Sequence, residues 1–325
     1  MRPRDVQHGV RIRALVGAAA GAAFAASVVA AAAVPALRGA SRPEPGPALA
    51  LGEQLMVVAS GYVLKPAYML LCAVLIAILR RRGQAPDLGR LSLALEAFLA
   101  GEAACAANYL AFAGQSVPLE LLHGLGMAVM CMLLPMATFE LLDSRVVQYT
   151  DRSRVCSFQR LCSVCTKRDN VPCGLHKLFL FAAGSLPVLA LMPLSVPLVP
   201  AHRVVWVFGT AVRFDLSMPV LIAELRAYPL IAVVALLTAA VRAWPGHHAA
   251  AAARWPFFLG FGLLSYALFR FVLVAAYRDQ PHWANFWEEA TELLVILAVA
   301  VCLWTFGRQL GLRRARVTTG ELDAH

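Results

Sequence analysis

Eight apolar runs, each long enough to cross a lipid bilayer, govern what this chain can fold into. They fall at about 14–36, 55–79, 91–113, 119–141, 178–199, 218–241, 256–277 and 285–306. A span needs about 20 mostly apolar residues to cross a hydrocarbon core roughly 30 Å thick. Hydrophobic residues make up 60% of the chain and charged residues 15%, against roughly 25% charged in ordinary soluble domains. A soluble core of this size has no place for so much apolar surface, whereas lipid does. No run shows the residue alternation of barrel strands. The expected fold class is therefore all-α, a polytopic integral membrane helix bundle with about eight transmembrane helices.

The first run carries a second reading. A basic start, an alanine-rich stretch and small residues near Val34-Pro35-Ala36 also describe a signal peptide. The run is long for a signal, which favours an uncleaved anchor. Cleavage would leave seven spans.

A formal net charge of +10 does not indicate nucleic acid here. The basic residues sit in short loops between apolar runs, the pattern that orients membrane proteins. Twenty-one Lys and Arg residues fall on one side: in the N-terminus, in the loops around Arg80–Arg90, 142–177 and Arg242–Arg254, and in the tail from Arg308. Only Arg38, Arg42, Arg203, Arg213 and Arg278 fall opposite. Both termini and the 142–177 loop are therefore expected in the cytoplasm, with the protein in a plasma or inner membrane. The organisation reads as spans 1–4 over residues 1–141, a cytoplasmic loop over 142–177, and spans 5–8 with a basic tail over 178–325. Prolines at 193, 197, 200 and 219 rule out one continuous helix through that stretch. It reads as an outer cap, with Val204 to Phe208 at the interface.

The 142–177 loop carries the strongest chemical signal. Cys156, Cys162, Cys165 and Cys173 are spaced C-x5-C-x2-C-x7-C. Thiolates are soft donors for Zn²⁺ or for the iron of Fe–S clusters. Two intervening residues let Cys162 and Cys165 share one metal, and Cys156 and Cys173 complete a tetrahedron. Disulfides are disfavoured for a loop in the reducing cytosol. The remaining cysteines, Cys72, Cys105, Cys131 and Cys302, lie within apolar runs and read as small hydrophobic residues.

Ionisable groups inside the spans form the second signal, because each costs at least about 2.5–3.5 kcal/mol at the bilayer centre and needs a partner or a purpose. The polar residues within the spans are Lys65, Glu96, Glu102, His123, Glu224, Arg226, Tyr266, Arg270, Glu288, Glu289 and Glu292. Arg270 lies seven residues before the end of its span, and Glu292 seven after the start of the next. At 1.5 Å per residue they share a depth, so an Arg270–Glu292 pair is expected. Glu102, near mid-membrane, is the first candidate for a proton carrier. His123, His202 and His282 map near the outer face, where two of them could ligate a haem. Trp206, Trp283 and Trp287 suit an outer aromatic belt, and Trp244, Trp255 and Trp304 an inner one.

There is no GxSxG elbow, P-loop, HExxH or Rossmann glycine pattern, so no familiar hydrolase or nucleotide chemistry is indicated. Three readings remain. The first is membrane electron transfer, through an Fe–S cluster on the cytoplasmic loop to a quinone or haem. The second is an ion- or proton-coupled transporter or channel with a zinc-stabilised loop. The third is a non-catalytic anchor or sensor subunit, whose loop docks a soluble redox or acidic protein partner. The loop of the purified protein is expected to hold one metal centre, which serine replacement of all four cysteines removes. A coloured protein with visible absorption marks Fe–S, and a colourless one with zinc by elemental analysis marks a structural ion.

Overall fold

The computed structural model describes residues 49–82, 86–142, 174–244 and 250–307. The first apolar run, the four-cysteine segment and the basic tail lie outside them. The chain is predominantly helical. In order come α1 (Leu51–Ala59), a π-turn (Ser60–Leu64), α2 (Lys65–Arg82), α3 (Pro86–Phe112), α4 (Val117–Leu141), α5 (Gly174–Leu189) and α6 (Leu191–Ser195). Strands β1 (Ala201–Val207) and β2 (Thr210–Leu216) follow, then α7 (Met218–Ile222) and a second π-turn (Ala223–Ala227). The described chain ends with α8 (Tyr228–Ala243), α9 (Ala250–Tyr277) and α10 (Pro281–Thr305).

Among the described residues, five helical stretches are long and apolar enough to cross a membrane: Leu51–Arg81, Val117–Leu141, Lys177–Ser195, Met218–Ala243 and Ala253–Tyr277. Helices α3 and α10 match them in length, at 27 and 25 residues. They fall short on composition because they carry Glu96, Glu102 and Asn108, and Glu288, Glu289 and Glu292. Large apolar side chains such as Leu70, Leu110, Val234, Val241, Leu294 and Val301 face outward. Such an exterior is compatible with a surrounding of lipid.

Helices α2, α3, α4, α9 and α10 pack in that order, and α10 returns to α2 to close a ring. Helix α8 packs outside α9, and α5 outside α8. A close crossing joins α3 to α4. A methyl group built on Gly126 would lie 2.8 Å from the Ala97 carbonyl oxygen and 2.8 Å from Gly101 Cα. Only glycine permits backbones this close, and the crossing sets Glu102 beside His123.

Both π-turns precede a proline. Lys65 N–H donates to the Ser60 carbonyl, and Tyr228 N–H to that of Ala223, each five residues back. Pro66 and Pro229 lack the N–H that would continue the regular ladder, and a proline ring crowds the carbonyl four residues earlier. The wider turn relieves that clash. Such turns recur at functional sites, and here one ends at Lys65 while the other holds Glu224.

The outer cap is a β-hairpin, where the sequence indicated only irregular chain with an interfacial stretch. The antiparallel register places Val207 opposite Thr210. The two turn residues, Phe208 and Gly209, both have positive φ, 46° and 78°. Two-residue hairpin turns favour that geometry, but usually signal it with Asn-Gly, and a phenylalanine there hid the turn. Val205, Val207 and Phe214 pack on Leu49, just before α1, and on Val57 and Val58 in its last turn. Gln54 Oε1 accepts a hydrogen bond from Phe208 N at 2.8 Å.

Cys72 and Cys105 are buried as small hydrophobic residues, whereas Cys302 is exposed on the bundle's outer surface. Overpacking a close helix crossing costs about 1–3 kcal/mol, so Gly126→Ala should destabilise the protein by that amount in detergent unfolding. Gly184→Ala, with nothing within 4 Å of the new methyl, should stabilise it by up to about 1 kcal/mol through helix propensity.

Candidate functional site

The five-helix ring encloses a continuous polar cluster. Helix α2 supplies Lys65 and Tyr68, α3 Glu102, α4 His123, α9 Tyr266 and Arg270, and α10 Glu288, Glu289 and Glu292. Glu224 enters from the second π-turn. His123 lies six residues into α4 and Glu288 seven into α10, about 9–10 Å along each helix from the hairpin end. Glu102 and Glu292 sit roughly one turn deeper.

Lys65 is the cationic hub at one end. Its ammonium lies 2.6 Å from Glu102 Oε2 and 2.9 Å from Glu289 Oε1. One turn on, the Tyr68 side chain is fully buried. Its hydroxyl lies 2.6 Å from Glu102 Oε2, 2.6 Å from Glu289 Oε2 and 2.7 Å from Glu292 Oε2. A phenol has one hydrogen to donate. Three carboxyl oxygens around one such group require further hydrogens or cations from elsewhere.

Arg270 is the hub at the other end. Its Nε donates to Glu224 Oε2 at 2.7 Å and its Nη1 to Glu288 Oε1 at 2.8 Å. Tyr266 OH donates to Glu224 Oε1 at 2.7 Å. Gly124 leaves space for this contact, since a methyl there would lie 3.2 Å from both Glu224 Oε1 and the Tyr266 oxygen. His123 joins the two ends. Its Nδ1 lies 3.3 Å from Glu102 Oε1, and its Nε2 lies 3.5 Å from Glu288 Oε1.

The expected Arg270–Glu292 pair is not formed, because Arg270 takes Glu224 and Glu288 instead. Helix α10 begins at Pro281 rather than near residue 285, so the residue at Arg270's depth is Glu288, one turn earlier. Two further candidates stand apart from the cluster. Glu96 accepts from Ser92 Oγ at 2.7 Å and from the half-exposed Arg80 Nε at 3.0 Å, toward the opposite end of the bundle. Arg226 turns away from Glu224's partners and donates to the carbonyls of Pro193 and Val196, the chain end that prolines leave without helical partners. His202 pairs with Asp215 on the hairpin at 2.9 Å, and His282 Nε2 lies 3.3 Å from Glu53 Oε1. The three outer histidines thus occupy three separate settings.

Tyr68 and Glu120 were not distinguished in the sequence. Tyr68 follows Lys65 by three residues, which places both on one helix face, and that spacing was the available signal. Glu120 precedes His123 by three residues on α4 and binds Asn108 Nδ2 at 3.1 Å. It also lines a cavity of about 420 Å³ at the hairpin end, with Ser116, His202, Arg213, Asp215 and Ser217. The cavity thus reaches the bundle within one helical turn of the cluster.

An oxygen from each of Glu102 and Glu292 and a nitrogen of His123 come within 4.8 Å of one another, the one such grouping among the described residues. The four loop cysteines, the other metal candidates, lie outside the described residues. Comparison of the chain with models of protein families, with curated proteins and with solved structures finds no match.

Removing one partner of a buried ion pair costs about 3–5 kcal/mol, because the other charge is left unpaired. Lys65→Met should therefore destabilise the protein by about that much in detergent unfolding, and adding Glu289→Gln should recover part of the loss. Arg80→Ala, at a half-exposed pair, should cost no more than about 1 kcal/mol.

Proposed function

We propose that the chain is a cation transporter or channel of the plasma or inner membrane, and that the buried cluster is its cation-binding centre. One observation carries this reading. Five carboxyls, Glu102, Glu224, Glu288, Glu289 and Glu292, share the interior with two permanent cations, Lys65 and Arg270, and one imidazole. All but Glu288 among the acids are under about one-tenth exposed. A bilayer interior does not hold an excess of two or three negative charges. Bound cations, protons or metal ions, balance them, and a site that must bind cations from within a membrane is suited to passing them.

In this reading eight spans cross the bilayer, counting 14–36, α3 and α10 with the five apolar stretches. Both termini and the cysteine loop face the cytoplasm, in keeping with the bias of Lys and Arg. The hairpin end is then external. Its cavity receives the cation, and Glu120 leads it toward His123. The four loop cysteines would hold zinc on the cytoplasmic side. The tight Gly101–Gly126 crossing fixes Glu102 and His123, while α2 and α10 bring the remaining ligands to them.

A second reading keeps its own observation. Four thiols within eighteen residues of polar loop suit an Fe–S cluster, and electrons would pass from it to a quinone or haem in the bundle. That reading gives no role to the surplus of carboxyls, so we place it second.

Reconstituted vesicles test the first reading. Protein-dependent movement of protons or of a metal cation is expected, with Glu102→Gln lowering it about 10-fold or more, as loss of an obligatory charged ligand would. Absence of flux for every cation tried, together with a coloured and redox-active protein, would transfer the assignment to electron transfer.

A further inference from the structure

We infer that Glu102, His123 and Glu292 form a binding site for one divalent transition-metal ion of the Mn²⁺ or Fe²⁺ class. This inference rests on the cation-centre reading and names the cation.

The three side chains come from three different helices, α3, α4 and α10, and offer ligand atoms within 4.8 Å of one another. Each is buried, at 0%, 3% and 3% exposure. Each also keeps one buried polar atom without a hydrogen-bond partner: Glu102 Oε1, His123 Nδ1 and Glu292 Oε1. Buried polar atoms are almost always satisfied, yet Glu292 Oε1 has no partner, and Glu102 Oε1 and His123 Nδ1 have only each other at 3.3 Å without forming a hydrogen bond, so a partner shared by all three is missing. All three have lone pairs to give. A partner that accepts lone pairs from two carboxylates and an imidazole at once is a metal ion.

The surroundings suit that ion. The second oxygens of both glutamates are already engaged, Glu102 Oε2 by Lys65 and Tyr68 and Glu292 Oε2 by Tyr68. Each therefore presents a single oxygen. His123 Nε2 faces Glu288 Oε1 at 3.5 Å, and Arg270 holds that carboxyl at 2.8 Å. A carboxylate behind a ligating histidine fixes its tautomer and orientation. With the imidazole neutral as a ligand, five carboxyls face two cations, and a divalent ion removes most of the difference. Two carboxylates and one imidazole, with no sulfur, favour Mn²⁺ or Fe²⁺, since thiolate-rich sites select softer ions. Open coordination positions remain for water from the hairpin-end cavity.

Mn²⁺ is the probe, because the hard ion discriminates against the loop cysteines. The full chain, purified in detergent after chelation, is titrated with Mn²⁺ while free ion is followed by electron paramagnetic resonance. One saturable site per chain is expected, unchanged when all four loop cysteines become serine. His123→Gln and Glu292→Gln should each weaken binding about 10-fold or more, whereas Glu96→Gln, a part-buried carboxyl outside the cluster, should not. Pulsed spectra of the bound ion in the unsubstituted protein should show coupling to one imidazole nitrogen, which supports the site even if a cluster variant fails to fold. Absence of saturable binding, binding that persists in both variants, or a bound ion without nitrogen coupling would overturn the inference. Proton flux in vesicles without Mn²⁺ binding would remove the metal and leave the cation-centre reading standing.

Discussion

A buried lysine ammonium held between glutamates from two other helices is the interaction on which this molecule is organised. Lys65 joins α2 to α3 through Glu102 and to α10 through Glu289. Arg270 performs the same service for α9, α10 and the segment bearing Glu224. Without these two hubs the ring of helices would enclose carboxyls that only repel one another. With them the ring closes, although the hubs are too few to match the acids around them. The structure is thus built around an electrostatic deficit. Hydrophobic packing cannot supply the missing charge, because the walls of the ring are apolar.

Local backbone geometry puts the hubs in place. Each of the two π-turns is followed by a proline, and each sets an ionisable residue at the ring: Lys65 directly after the first, Glu224 within the second. Glycine acts at the α3–α4 crossing, where side chains would hold the backbones apart and separate Glu102 from His123. The hairpin rests on α1, and the cavity beside it abuts Glu120. Chain features with no acid–base chemistry of their own therefore decide which charged groups meet.

Much of this was legible in the sequence and some was not. Apolar runs gave the helices, because membrane-length hydrophobicity is an additive property of neighbouring residues. The ionisable residues inside those runs were visible one by one, for the same reason. Their pairing was not, because it depends on where each helix begins. Four residues of extra helix at the start of α10 exchanged Glu292 for Glu288 as the partner of Arg270, and the proline at 281, a frequent first helical residue, was the overlooked sign. Tyr68 passed unnoticed because a tyrosine in an apolar run looks like packing until three acids are seen to share its hydroxyl. Arg226 looked like a member of the cluster from its position two residues after Glu224, yet residues two apart on a helix diverge by about 200°, and it faces carbonyls instead. The hairpin escaped because its turn lacks asparagine.

The contact between Gly101 and Gly126 has a mechanical meaning. Two backbones that touch have no side-chain cushion to deform, so α3 and α4 behave as a single stiff jaw, with Glu102 and His123 at fixed spacing. Rearrangement at the centre falls to the opposing jaw, α2 and α10, which carries Lys65, Tyr68, Glu289 and Glu292. An ion gripped by residues of both jaws would lock them shut, and its departure would leave the ammonium, the phenol and the His123–Glu288 contact among the groups that keep them from parting.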